Sequence, residues 1–189
     1  WKGQSDFGWT DPNSPRRRHV RLAALGIAVG LLSLGTVDGL VLAAGARSLT
    51  PFDTAQSIAS PLFLFALSSL TVALIEETLA RGILFRPLVR SWGLWPATLV
   101  SSLLFAAAHF IRGDPATVQA QGLFPASFKL LTSALAGIPN ASHFPLRFLN
   151  LTLLGIVLCS FVARTGTIWL GVGAHAAWVW VMIASGILV

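Results

Sequence analysis

The stretch ALIEETLARG, residues 73–82, places the chain's only two glutamates side by side in an otherwise apolar segment. Glu77 and Arg81 are four residues apart, so on a helix they share one face and can form an ion pair. Glu76 lies about 100° around the helix from Glu77. The spacing predicts that Arg81 neutralises Glu77 and leaves Glu76 to face another group. The alternative is that both glutamates bind Arg81 or pair with another helix.

The composition around this stretch indicates a membrane protein. Of the 189 residues, 54% are hydrophobic and 11% are charged, whereas an ordinary soluble domain is about 25% charged. The mean hydropathy is +0.74. Several apolar runs have the length of roughly 20 residues that a transmembrane helix needs. We therefore expect an all-α, polytopic transmembrane helical bundle.

The predicted bundle has five spans in a single domain, residues 20–189, after a polar, basic segment, residues 1–19. The spans are residues 20–44, 57–90, 97–111, 146–163 and 168–188. Between spans three and four lies a long connector, residues 112–147. Four large apolar residues recur in it at helical spacing: Phe124, Phe128, Leu131 and Leu135. This pattern predicts a short amphipathic helix at the membrane interface, with an ordered loop as the alternative.

The net charge of +6 is distributed as in a membrane protein, because basic residues cluster before the first span and near helix ends. The basic stretch lacks interleaved aromatic residues, so no nucleic-acid partner is expected. Of the 13 Lys and Arg residues, nine fall on the inner side if the N-terminus is inside. We therefore expect an integral protein of the bacterial inner membrane with a cytoplasmic N-terminus. This threading puts His109 near the outer end of span three and the glutamates nearer the inner end of span two. If they share a site, span two must be long and tilted, or span three must begin deeper.

Few polar groups lie within the predicted spans, and each is a candidate for function because charge in the bilayer costs about 2.5–3.5 kcal/mol. Besides the glutamates, His109 follows Phe105 by four residues in FAAAHF, and His175 lies in GAHAAW. Two histidines and one spare glutamate on three spans could hold a water molecule or a metal ion. A haem or chlorophyll ligand is another reading of either histidine. Asp38 is expected to pair with another span.

Three motifs, in order on separate spans, resemble the CPBP family of intramembrane proteases. They are Glu-Glu-x-x-x-Arg, Phe-x-x-x-His and a histidine after RTGTIWLGVGA. The family comprises the type II CAAX prenyl endopeptidases, the bacteriocin-processing and self-immunity proteins and the Abi group. The resemblance covers about residues 61–189 and implies an intramembrane endopeptidase that cleaves a membrane-associated peptide with water activated by glutamate and histidine.

The resemblance also implies a role for each matching residue. Glu76 corresponds to the general base, and Glu77 and Arg81 to its supporting pair. His109 corresponds to a second water- or metal-binding group with Phe105 packed beside it. His175 corresponds to a residue that helps to stabilise the oxyanion. Glu76, His109 and His175 could bind zinc, although we favour water held directly by Glu76 and His109.

One position departs from the family pattern. The family usually has Asn four residues after the last histidine, and this chain has Val179. Valine cannot donate a hydrogen bond, and loss of one oxyanion donor lowers the rate by about 10²–10³. Trp178 and Asn150 are candidates to replace it. The alternative function is a non-catalytic CPBP-like subunit or scaffold of a larger membrane complex. The substrate stays open among prenylated CAAX tails, bacteriocin leaders and other membrane-anchored peptides.

Overall fold

The computed structural model describes residues 8–9, 15–48, 55–110 and 144–188. Every regular element within these ranges is helical. In chain order they are α1 (Arg16–Ala43), α2 (Ala55–Glu77), a π-helical segment (Thr78–Phe85), α3 (Arg86–Trp92), α4 (Leu94–Ala108), α5 (Phe144–Thr165) and α6 (Trp169–Leu188). The predicted all-α transmembrane bundle is confirmed.

Three helical stretches are long and apolar enough to cross a membrane: Arg16–Ala43, Ala59–Trp92 and Phe144–Thr165. They correspond to predicted spans one, two and four. The regions of spans three and five form shorter apolar helices, Leu94–Ala108 and Trp169–Ser185, and their crossing of the bilayer stays a prediction. The amphipathic helix predicted within the connector lies outside the described residues.

A sharp reversal at Gly93 sets the depth of the polar residues. Gly93 has a φ of 81°, a left-handed conformation that suits glycine because it has no Cβ. Glu76 lies 17 residues before Gly93 and His109 lies 16 residues after it. Helices of similar rise on both sides of the turn place the two residues at similar depth. Glu76 and His109 are therefore not separated in depth, and of the two ways in which they could share a site the structure shows the long second span, of 34 residues.

Helix α6 is the centre of the bundle and packs against α1, α2 and α5. Glycines allow α1 and α6 to approach closely. A Cβ atom on Gly26 would lie 2.3 Å from the carbonyl oxygen of Leu170, and one on Gly173 would lie 2.1 Å from that of Ala23. Lipid tails are as apolar as leucine, so helices in a membrane associate through such close packing.

The turn between α5 and α6 is held by arginines from two other helices. Gly166 in this turn has a φ of 74°. Arg18 on α1 donates to the carbonyl oxygen of Thr165 at 3.2 Å, and Arg86 on α3 donates to that of Gly166. The starts of α1 and α3 and the end of α5 therefore share one end of the bundle, which we call the basic end. Its described arginines are Arg16, Arg17, Arg18, Arg21, Arg86, Arg90 and Arg164.

The contact of α1 with α6 predicts that Gly26→Ala lowers stability. The added methyl group meets backbone rather than a flexible side chain, and overpacking of this kind costs about 1–3 kcal/mol. The measurement is the thermal unfolding midpoint of the purified protein in detergent. The matched control is Gly35→Ala on the same helix, because a Cβ there meets nothing within 4 Å. Equal midpoints for the two variants would contradict the packing described here.

Candidate intramembrane active site

Glu77 is buried between two polar side chains. Its Oε1 lies 3.1 Å from Nη1 of Arg81, and both side chains are 0% exposed. The same oxygen lies 3.1 Å from Nδ1 of His175 on α6. The ion pair within the helix is the one that the sequence spacing predicted. The contact with His175 was not predicted, because it joins residues 98 positions apart.

Arg81 reaches two further helices from the π-helical segment. Its Nη2 donates to the carbonyl oxygen of Gly155 on α5 at 3.4 Å. Its guanidinium carbon lies 4.2 Å from the ring centroid of Phe105 on α4, a cation–π contact. The π-helical segment begins at Thr78, directly after the glutamate pair. Such segments occur frequently at functional sites, and Arg81 within this one is fully buried.

Because Gly171 has no side chain, the carboxylate of Glu77 can pack closely against the backbone of α6. A Cβ atom at this position would lie 2.9 Å from Oε2 of Glu77. Gly171 precedes His175 by four residues and therefore shares its face of the helix. Gly171 and Gly155 were not predicted as site residues, because the need for glycine comes from residues on other helices.

Glu76 occupies a different environment from its neighbour. Its side chain is 32% exposed, and its Oε2 lies 3.7 Å from Nε2 of His109 and 3.7 Å from Nε2 of His175. These distances exceed those of hydrogen bonds. Oε2 is buried and has no hydrogen-bond partner among the described residues. Glu76, His109 and His175 therefore come together, but they leave gaps between their polar atoms.

The orientation of each histidine is fixed by the nitrogen that faces away from Glu76. Nδ1 of His109 lies 2.8 Å from the carbonyl oxygen of Phe105. Nδ1 of His175 lies 3.1 Å from the carboxylate of Glu77. Since a carbonyl or carboxylate oxygen only accepts, we infer that each Nδ1 carries the proton. In the neutral rings, Nε2 is then a bare acceptor directed at the same carboxylate oxygen.

Phe105 packs against both histidines as well as against Arg81. Its ring centroid lies 4.6 Å from that of His109 and 5.9 Å from that of His175. Its side chain is 6% exposed. The position beside His109 follows from the four-residue spacing on α4, whereas the contacts with Arg81 and His175 come from helix packing. Phe105 therefore separates the arginine from the histidine side of the cluster.

A water molecule fits the gaps beside Glu76 better than a metal ion does. Oε2 of Glu76 and Nε2 of His109 are 3.7 Å apart. If a water oxygen lies about 2.8 Å from each, the angle between the two atoms at the water is roughly 83°. A zinc ion about 2.05 Å from both would see them at roughly 130°, wider than a tetrahedral site requires. Among the described residues, no group of three His, Cys, Asp or Glu side chains is placed to hold a metal ion.

An apolar cavity adjoins Glu76 and His109 between the π-helical segment and α4. Its volume is about 280 Å³. Apart from Glu76 and His109, its lining is apolar: Leu79, Ala80, Leu84, Leu104, Phe105 and Ala108. Leu79 and Leu104 are more than a third exposed on the outer surface of the bundle. The carboxylate therefore borders a space that can accept an apolar group from the side of the lipid.

The other polar candidates lie away from this cluster. Asp38 accepts a hydrogen bond from Ser185, so it pairs with another helix. The indole of Trp178 donates to Ser33 on α1 at 2.9 Å, and Asn150 is exposed on α5. Val179 is partly buried one turn after His175 on α6.

The fold and the site together define a class: a helical integral membrane protein with a glutamate and two histidines gathered inside the bundle. The family comparison is more specific. Residues 58–181 match the model of the type II CAAX prenyl endopeptidase Rce1-like family, and the chain belongs to that family. The resemblance predicted from the sequence is thereby confirmed. Membership of the family supports intramembrane protease activity as the general class of function. No curated protein and no solved structure matches the chain.

The two glutamates are expected to differ in their effect on stability. Glu77→Gln leaves Arg81 buried without its counter-charge, and breaking a buried pair costs about 3–5 kcal/mol. Glu76→Gln removes no ion pair with arginine and should change stability by less than about 0.5 kcal/mol. Thermal unfolding in detergent compares the two variants. Adding Arg81→Met to Glu77→Gln should restore part of the loss, and a similar midpoint for both single variants would count against the distinction.

Proposed function

We propose that this protein is an intramembrane endopeptidase that cleaves a membrane-associated peptide with water activated by Glu76. The observation that carries the proposal is the unpartnered Oε2 of Glu76, 3.7 Å from two imidazole nitrogens and beside an apolar cavity. A carboxylate, two acceptors and room for one water are the parts needed for general-base hydrolysis. The proposal assigns catalytic roles to Glu76, His109 and His175, and supporting roles to Glu77, Arg81 and Phe105.

The reaction begins with a water held between Glu76 and Nε2 of His109. Glu76 takes one proton while the water oxygen bonds to the carbonyl carbon of the scissile peptide. The carbonyl oxygen gains negative charge in the tetrahedral intermediate. The C–N bond then breaks as the proton on Glu76 passes to the departing nitrogen. General acid–base catalysis of this kind contributes about 10²–10⁴-fold.

His175 is held for its role by Glu77. With Nδ1 bonded to that carboxylate, only Nε2 can face the reacting groups. When the ring carries both protons, Nε2 can donate to the developing oxyanion. Arg81 neutralises Glu77, and Phe105 packs against both rings.

A divalent metal is a separate possibility for the same donors. Two histidines and one carboxylate are a chemically suitable set for zinc. The wide angle that the distances impose does not fit a tetrahedral ion, so no catalytic step is assigned to one.

The apolar cavity suggests the kind of substrate. A group next to the scissile bond would enter a space lined by leucine and alanine side chains, so an apolar or lipid-linked segment fits better than a charged one. Peptides that end in a prenylated CAAX sequence, as in the family's name, are the first candidates. Bacteriocin leaders and other membrane-anchored peptides satisfy the same requirement.

The basic end supports an orientation in the membrane. Among the described residues, arginines gather at this end, whereas the three described carboxylates lie within α1 and α2. Basic residues favour the cytoplasmic side. We therefore place this end, with the start of α1, in the cytoplasm, and we place the protein in a bacterial inner membrane.

A second candidate function rests on Val179. A chain that lacks an oxyanion donor could retain the bundle as a non-catalytic subunit of a larger membrane complex. Stable stoichiometric co-purification with other subunits, together with absent proteolysis, would favour that function.

Glu76→Gln is expected to lower kcat by roughly 10²–10⁴-fold, because the amide cannot accept the proton from water. The assay uses purified protein in liposomes with fluorogenic peptides that end in a prenylated CAAX sequence or carry a fatty acyl anchor. Asp38→Asn is the matched control, since it also removes an intramembrane carboxylate but one bonded to Ser185. A Glu76→Gln variant that cleaves at the wild-type rate would refute the mechanism.

Chelation separates the water and metal mechanisms. Because the distances around Glu76 suit water better than zinc, we expect cleavage to persist after treatment with 1,10-phenanthroline. The non-chelating isomer 1,7-phenanthroline is the control for nonspecific effects on the bilayer. Inhibition by the first compound alone, reversed by added zinc, would replace the water mechanism with a metal-dependent one.

A further inference from the structure

Two buried hydroxyls outside the cluster, those of Ser69 and Thr167, have no hydrogen-bond partner among the described residues, and Ser69 lies on the helix that carries Glu76. Ser69 on α2 is 1% exposed, and its Oγ bonds to nothing in the part of the chain that the structure describes. Nearby hydroxyls behave differently: Thr71 donates to the carbonyl oxygen of Leu67 at 2.9 Å, and Thr78 to that of Leu74 at 2.7 Å. A buried hydroxyl without a hydrogen-bond partner lowers the stability of the folded protein. We therefore expect the hydroxyl of Ser69 to bond to a molecule that is present during only part of the reaction cycle.

Ser69 lies on the face of α2 that carries Glu76. The two residues are seven positions apart, which is two helical turns less about 20°. Their Cα atoms are therefore roughly 10 Å apart along the helix axis. Helical side chains lean toward the N-terminus, so the longer glutamate side chain brings its carboxylate closer to Ser69. A water and a carbonyl group fit within that separation.

Two contacts between α2 and α6 show which part of α6 faces Ser69. Glu77 meets His175 on one side, and the indole of Trp180 donates to the carbonyl oxygen of Leu62 on the other at 2.9 Å. Ser69 lies between these contacts along α2. Among the described residues, α2 packs only against α6 and the π-helical segment. Ser69 is therefore buried in the α2–α6 interface, facing the stretch of α6 that follows His175.

The cluster around Glu76 is short of donors for an oxyanion. The Nδ1 protons of His109 and His175 are already committed to Phe105 and Glu77. Arg81 is fully enclosed by Glu77, Gly155 and Phe105. Nε and Nη1 of Arg81 make no hydrogen bond, but the side chain is 0% exposed and packs against the ring of Phe105. Among the described side chains that face Glu76, the donor is therefore Nε2 of a protonated His175. Acyl-transfer sites stabilise the oxyanion with several fixed donors.

We propose that Ser69 donates a hydrogen bond to the carbonyl oxygen of the scissile peptide as that oxygen becomes negative. This inference rests on the proposed endopeptidase function. Ser69 keeps its proton throughout, while Glu76 carries the proton from water to the departing nitrogen. The closed position of Ser69 is shared by the reactive oxygen of Glu76, which is also buried. The inference requires α2 and α6 to separate locally beside Ser69 when substrate enters from the cavity, with the Glu77–His175 contact kept.

The test compares kcat and KM for Ser69→Ala in the liposome assay. Loss of a transition-state donor should lower kcat by roughly 10²–10³-fold and leave KM within about threefold. Thr71→Val is the matched control, because its hydroxyl is bonded to its own helix, and it should keep the wild-type kcat. Adding Val179→Asn to Ser69→Ala should restore at least about tenfold of kcat, since it places a new donor on α6 one turn after His175.

The rescue separates a donor from a packing residue. A kcat loss that Val179→Asn fails to restore, or a parallel fall in the thermal midpoint, would assign Ser69 to packing and overturn the inference. Ser69→Ala at full rate, with Glu76→Gln inactive, would overturn the inference and leave the proposed function intact. Absence of cleavage by the wild-type protein would overturn the proposed function itself.

Discussion

The buried carboxylate of Glu77 is the constraint on which the bundle depends. A charge inside a bilayer needs a counter-charge within the protein. Glu77 has Arg81 as its counter-charge and also contacts Nδ1 of His175, each at 3.1 Å. Arg81 then reaches α5 through the carbonyl oxygen of Gly155 and α4 through the ring of Phe105. Four helices are thus held around one ion pair. The contacts that stabilise this ion pair, together with apolar packing, set the relative positions of the four helices.

This arrangement gives two neighbouring residues of the same type opposite roles. Glu77 is fully enclosed, whereas Glu76 is 32% exposed and lacks a cationic partner. The rotation of about 100° between them on a helix decides which one meets arginine. Because Arg81 pairs with Glu77, the carboxylate of Glu76 is left to face two histidines and a cavity. The stabilising group and the reactive group are adjacent in sequence but separate in environment.

Local geometry made part of this site predictable from the sequence. The pairing of Glu77 with Arg81 and of Phe105 with His109 follows from the four-residue repeat of one helix. The contact of Glu77 with His175 does not, because it depends on how α2 and α6 pack. The glycines that allow this packing could not be distinguished by composition from other glycines in apolar runs. The π-helical segment was also missed, since the sequence predicted a regular helix through residues 57–90.

Two ways of counting along the sequence give different depths for the site in the membrane. Assigning spans from charge placed His109 and the glutamates at opposite ends of their helices. Counting outward from Gly93 places them at nearly equal distances, 16 and 17 residues away. The difference arises because the second span extends well beyond the length needed to cross the hydrocarbon core. A tight glycine turn is therefore a better reference for depth here than the boundary of an apolar run.

The chemistry of the cluster sets the next constraint. Both imidazoles present Nε2 to Glu76, so the neutral site is rich in acceptors and well suited to holding water. Holding water stabilises the ground state, whereas hydrolysis requires donors that act when the carbonyl oxygen becomes negative. Val179 supplies none. A hydrolytic site built on this cluster must therefore obtain donors by protonating His175 or from a hydroxyl beyond it, and Ser69 is the described side chain whose hydroxyl is buried, unpaired and on the face of Glu76.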